Sequence, residues 1–259
     1  MNLSEVFKLY DCPANSLKVR CRILKSTQAQ ALEDYMVSEL PECYVAKANF
    51  AARVTATGLD PQEVLAQYFP DPGSTMSGDF GEILSMFFFS SEHAAATSLV
   101  KKWCYKQDRE KTAPHSDVVI LHRGGVNPAG TDFVICAETK QKSTRSTFDP
   151  ISSSIVSLSD DRIGRLARAL GWFRERAIVI GPASDIPLLD RFIKISEVSY
   201  KKYFKAVAII DRMLLDDELM RDIQLPAQDD EFEVVVLGVQ NLKALYETVF
   251  ARALAEAKV

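Results

Sequence analysis

Residues 117–142, DVVILHRGGVNPAGTDFVICAETKQK, place two apolar runs on either side of GGVNPAGT. Glycine, proline and asparagine cluster in the middle segment, so DVVILHR and DFVICAETK are predicted to pair as an antiparallel hairpin. Side chains alternate across a strand. Glu138 and Lys140 therefore share a face with Val134 and Cys136, while Phe133, Ile135, Ala137 and Thr139 take the other. Pairing through that turn sets the start of the first strand against the end of the second. Asp117 and Glu138 then meet at one end of the hairpin, beside Lys140.

Two carboxylates held close destabilise a fold unless a cation neutralises them or one takes a proton. Hard oxygen ligands favour Mg²⁺, or Mn²⁺, as that cation. A metal with a neighbouring lysine suits phosphodiester hydrolysis, because the metal activates water and the ammonium orients the nucleophile or offsets developing charge. Glu82, on a helix expected ahead of the hairpin, is a candidate third acid. The E-x-K spacing alone is weak, since Glu256 and Lys258 repeat it in the C-terminal helix, where both are read as solvated.

Working outward, GDFGEILSMFFFSSEHAAATSLV (78–100) reads as a helix, with Asp79 placed to cap its start. Upstream lie a strand-like SLKVRCRIL, a helical TQAQALEDYMVSEL and a second strand-like ANFAARVTATGL, closed by FPDPGSTMSGD, a loop and a boundary near residue 75. Downstream, residues 157–177 place Ile163, Leu166, Ala167, Leu170 and Phe173 at helical spacing. IPLLDRFIKISEVSYKKY reads as a helix, FKAVAIIDRM and FEVVVLGVQ as buried strands, and NLKALYETVFARALAEAK as a closing helix. The order predicts an α/β fold with a mixed sheet.

The 259 residues, 47% hydrophobic, suffice for one full core, and no apolar run reaches membrane-spanning length, so a cytoplasmic, non-membrane protein is expected. Five scattered cysteines without a C-x-x-C pair predict reduced thiols rather than a disulfide framework or zinc knuckle. A net charge of −4 argues against nucleic-acid binding by bulk positive charge. Contact must be local or assisted. The basic runs at 101–111, 140–145, 200–205 and among Arg162, Arg165, Arg168, Arg174 and Arg176 read first as solvated faces. No G-x-S-x-G, Walker or G-x-G-x-x-G motif appears. His115 and His122 lack a second histidine at ligand spacing, and the trio Phe87, Phe88 and Phe89 reads as core.

An acid-bearing helix (GDFGEIL), an aspartate opening a strand (HSDVVIL) and AETK closing the next resemble the PD-(D/E)XK nuclease superfamily, whose shared core is αβββαβ. The proline that usually precedes the aspartate is displaced to Pro114. More narrowly, GDFGEILSMFF, HSDVVI and VICAETKQK resemble the HamA family, nuclease subunits of the Hachiman antiphage defence system. The resemblance implies a Mg²⁺-dependent deoxyribonuclease working with a helicase partner, HamB. It implies a restriction-endonuclease-like core over 76–259 and leaves 1–75 as an N-terminal α+β extension and candidate docking region. It maps catalysis onto Asp117, Glu138 and Lys140, with Glu82 as an addition, and the metal onto Asp117, Glu138 and Glu82. Lys142 and Arg145, just past the site, are the nearest candidates for phosphate contact. The alternative is a non-catalytic adaptor that keeps the fold to bind a helicase or DNA.

Overall fold

The computed structural model describes residues 3–13, 15–17, 19–93, 97–160, 164–181, 185–194, 199–227 and 231–259. Seven strands, β1 (Leu9–Asp11), β2 (Arg20–Leu24), β3 (Thr97–Leu99), β4 (Val118–His122), β5 (Phe133–Lys142), β6 (Lys201–Asp211) and β7 (Phe232–Val239), form one sheet in the order β1-β2-β7-β6-β5-β4-β3. The helices are α1 (Leu3–Val6), α2 (Ala29–Tyr44), α3 (Lys47–Thr57), α4 (Pro61–Ala66), α5 (Ser74–Glu92), α6 (Pro150–Asp160), α7 (Leu166–Val179), α8 (Asp185–Ile193), α9 (Arg212–Leu219) and α10 (Leu242–Ala255).

The expected hairpin is present: β4 and β5 pair antiparallel from Val118 opposite Ala137 to His122 opposite Phe133. β5, β6, β7 and β2 then run parallel to one another. Parallel strands covered on both faces need continuous apolar sequence, which AVAII in β6 and VVVLGV in β7 supply. One face packs Ile135, Val207 and Val235 against α2, α5 and α10. The other packs Val134, Ala208 and Val236 against α6, α7, α8 and α9. The sheet is thus a mixed α/β core with helices on both sides. Phe87, Phe88 and Phe89 are buried in it, and all five cysteines are free thiols.

Several sequence expectations are corrected. ANFAARVTATGL is helical, in α3; four alanines favour helix, and Gly58 ends it at φ +67 in the left-handed region. The helix expected over 186–203 stops at Ile193, and the YKKYFK run belongs largely to β6, whose hydrogen bonds to β5 begin opposite Phe133. Within the span 157–177 expected to be helical, α6 runs to Asp160 and α7 opens at Leu166, with Gly164 at φ +102; Arg162 and Ile163 lie outside the described residues. Thr97–Leu99, read as helix, is an edge strand on β4.

Asp79 does not cap α5, which starts at Ser74. It lies buried within the helix, accepting hydrogen bonds from the Tyr44 hydroxyl (2.7 Å) and Lys106 Nζ (2.5 Å). The boundary near residue 75 falls in the first turn of α5, and the segment before it is part of the same body. β2 pairs with β7, and Tyr44 on α2 packs edge-on against Phe69 and Phe250. No helix among the described residues is long and apolar enough to cross a membrane.

Candidate active site

The register that joins Val118 to Ala137 makes Asp117 and Glu138 the next pair along, at the open end of the hairpin. Asp117 falls on the face of Val119 and Leu121, and Glu138 on that of Val134 and Cys136, which is the same face of the sheet. The Thr139 backbone N–H donates to Asp117 Oδ2 at 2.9 Å, fixing the aspartate against the neighbouring strand. Lys140 Nζ lies 3.8 Å from Asp117 Oδ2 and 3.6 Å from Glu138 Oε2. The three residues expected to act together line one cleft of about 630 Å³.

Glu82 reaches this cleft from α5, on the opposite layer. A Cβ added to Gly81 would sit 2.9 Å from Gln141 Oε1 and 3.6 Å from Thr139 Cγ2, so the glycine permits close packing of α5 on the end of β5. Glu82 is buried, with Oε2 accepting from Trp103 Nε1 at 3.1 Å and paired with Lys102 Nζ at 3.1 Å. In the sequence Lys102 stands only as one residue of the basic run 101–111. Its ammonium also lies 3.6 Å from Asp117 Oδ1 and donates to the Ser116 carbonyl at 3.1 Å.

Burial pushes the Glu82 carboxyl up, to about 8; Lys102 opposes the rise, and the charges of Asp117 and Asp79 add to it. Burial acts to lower Lys102 and is its largest single influence, yet the Glu82 and Asp117 carboxylates together outweigh it and the net shift is upward. An ammonium between two acids is therefore strongly held. Arg165, read from the sequence as part of a solvated face, approaches Glu138 instead, with Nη1 3.4 Å from Oε1. A run of arginines at helical spacing carries no signal that one of them turns inward, and neither does the basic KKWCYK around Lys102.

His115, at φ +70, lines the cleft and lies 5.5 Å ring to ring from Trp172, while His122 stacks on Phe133 at 4.1 Å, away from the carboxylates. Arg145 is exposed just past β5. Lys142 is corrected as a candidate for phosphate contact, because it is buried, with Nζ donating to Glu218 Oε1 (2.7 Å) and to the carbonyls of Ser146 (2.8 Å) and Phe148 (2.6 Å). A strand lying over this surface would not meet its ammonium.

Among the described residues no group of three or more His, Cys, Asp or Glu side chains is arranged to hold a metal ion. The cleft offers instead two carboxylates, Asp117 and Glu138, with open space in front of them. That donor set fits Mg²⁺ or Mn²⁺, which take one or two carboxylates and fill the remaining positions with water and substrate phosphate. It lacks the nitrogen and sulfur ligands that zinc prefers. Glu82, expected among the ligands, is engaged by Lys102 and Trp103.

A comparison with curated proteins finds no match. The HamA family profile, in contrast, matches residues 3–253 of the 259, so the chain belongs to the HamA family, which places it in Hachiman antiphage defence.

Proposed function

We propose that this HamA-family chain is a metal-dependent deoxyribonuclease, the effector that acts with a helicase subunit. The observation that carries the reading is the convergence of Asp117, Glu138 and Lys140 on one cleft, with Lys140 within 4 Å of both acids. A Mg²⁺ ion held by Asp117 and Glu138 would polarise a phosphoryl oxygen and acidify a water molecule. Lys140, whose side chain is 28% exposed, presents its ammonium to the same space. There it can hydrogen-bond the attacking water and offset negative charge as it grows on the phosphorus oxygens. Glu138, held between Lys140 and Arg165, and Asp117, held by the Thr139 N–H and Lys102, are fixed before substrate arrives, which limits reorganisation during the reaction.

The charge balance supports assisted DNA delivery. With 31 Lys and Arg against 35 Asp and Glu, the chain has no basic excess with which to displace counterions, so unaided affinity for DNA at physiological salt is expected to be low. A helicase that feeds the strand into the cleft removes that deficit.

The test is incubation of purified protein with plasmid DNA, with and without its helicase and ATP, in Mg²⁺ or EDTA. Cleavage is expected in Mg²⁺, none in EDTA, and none from a folded Glu138→Ala variant. Retention of cleavage or of phage protection by both Glu138→Ala and Lys140→Ala would overturn the proposal; protection without cleavage would mark a non-catalytic adaptor.

A further inference from the structure

We infer that Lys102 is a built-in cation standing where a second divalent ion would bridge Glu82 and Asp117, so that the cleft takes one metal rather than two. The inference rests on reading the cleft as a metal-dependent site. Its ground is geometric. Lys102 Nζ lies 3.1 Å from Glu82 Oε2 and 3.6 Å from Asp117 Oδ1, so one ammonium serves two acidic side chains from opposite layers of the fold. Two acids sharing one cation is also the arrangement by which a metal bridges ligands, and two-metal phosphodiesterases place such ions side by side.

Lys102 is not free to leave that place. Its side chain is 2% exposed, its third polar contact is the Ser116 carbonyl at 3.1 Å, and Trp103 beside it ties down Glu82 through the indole N–H. Asp117 then divides its work, one oxygen toward Lys102 and the other toward Lys140 and the open cleft. Lys102 is thus a positioning residue. It aims Asp117 through a fixed charge and keeps Glu82 from recruiting an ion of its own.

The measurement is a Mn²⁺ titration followed by electron paramagnetic resonance on full-length protein, counting tightly bound ions per chain. Wild type is expected to bind one. Lys102→Met is expected to bind two, with Mn²⁺ raising its Tm far more than that of wild type, since the ion restores the missing charge. The double variant Lys102→Met/Glu82→Gln, which removes both members of the pair, is expected to return to one. Two ions in wild type, one ion in Lys102→Met, or a Lys102→Met chain that saturating Mn²⁺ does not fold would each overturn the inference while leaving a metal-dependent nuclease in place. No Mn²⁺ bound to wild type would instead overturn the reading of the cleft itself.

Discussion

Lys140 and Lys142 leave the same strand on the same side, two residues apart, yet they occupy different chemical worlds. Lys140 is 28% exposed, its ammonium 3.6–3.8 Å from two carboxylates that border open space. Lys142 is 3% exposed, its ammonium 2.7 Å from Glu218 and saturated by two backbone carbonyls. Arg221 closes the far side of Glu218 at 2.8 Å. The difference lies in what the rest of the chain brings to each position. Over Lys142 it lays α9 and the 146–148 loop; over Lys140 it leaves a cleft. One ammonium fastens the fold, and the other faces the solvent and any ligand that enters.

Breaking the comparison at its buried end should give the largest change in stability. Lys142→Met removes one member of a buried ion pair and the donor of two carbonyls. A loss of about 3 kcal/mol is expected, read by urea denaturation. Lys142→Met/Glu218→Leu should recover much of that loss, because the uncompensated carboxylate is removed as well.

A second effect concerns pH. In metal-free protein the Glu82 carboxyl, raised by burial to about 8 from an ordinary value of 4.5, keeps a proton that the unfolded chain releases. The folded state then binds more protons between those two values, so stability should fall as pH rises from about 4.5 to about 8. Denaturation midpoints measured in EDTA across that range should decline for wild type and flatten for Glu82→Gln. An unchanged slope in the variant would contradict the assignment.

At the exposed end the expected stability changes are small. Lys140→Met should alter stability by less than about 1 kcal/mol, since a partly exposed pair contributes little. Arg145→Ala should leave stability unchanged, weaken DNA binding uniformly across sequences and reduce the salt-dependence slope by about one. Lys142→Met, once folded, should leave that slope alone.

The contrast also explains what could be read from the sequence. The hairpin was legible because its signals are local: alternating apolar residues, a turn rich in glycine and proline, and a register that follows from the turn. Asp117, Glu138 and Lys140 meet through that register alone, so their proximity was legible too. Lys102 and Arg165 were not, because each reaches its acid by tertiary packing, Lys102 across to a residue on α5 and Arg165 back to β5. The burial of Lys142 depends on Glu218, 76 positions away, and no local pattern announces it. The α3 segment failed for a different reason. Its apolar residues are half-buried at most, so periodicity was weak and alanine content was the better guide. At the start of β6 the exposed lysines hid a strand whose pairing with β5 decides its conformation.

On the proposed reading Lys140 takes part in cutting DNA, while Lys142, two residues further along the same strand, only holds the fold. Single-turnover cleavage of end-labelled DNA in Mg²⁺, with the helicase present, tests it directly when Lys140→Met and Lys142→Met are compared at equal folded fraction. Lys140→Met should lose at least about 100-fold in rate, and Lys142→Met should cleave within a few-fold of wild type. Equal rates for the two variants, or a greater loss in Lys142→Met, would contradict the account.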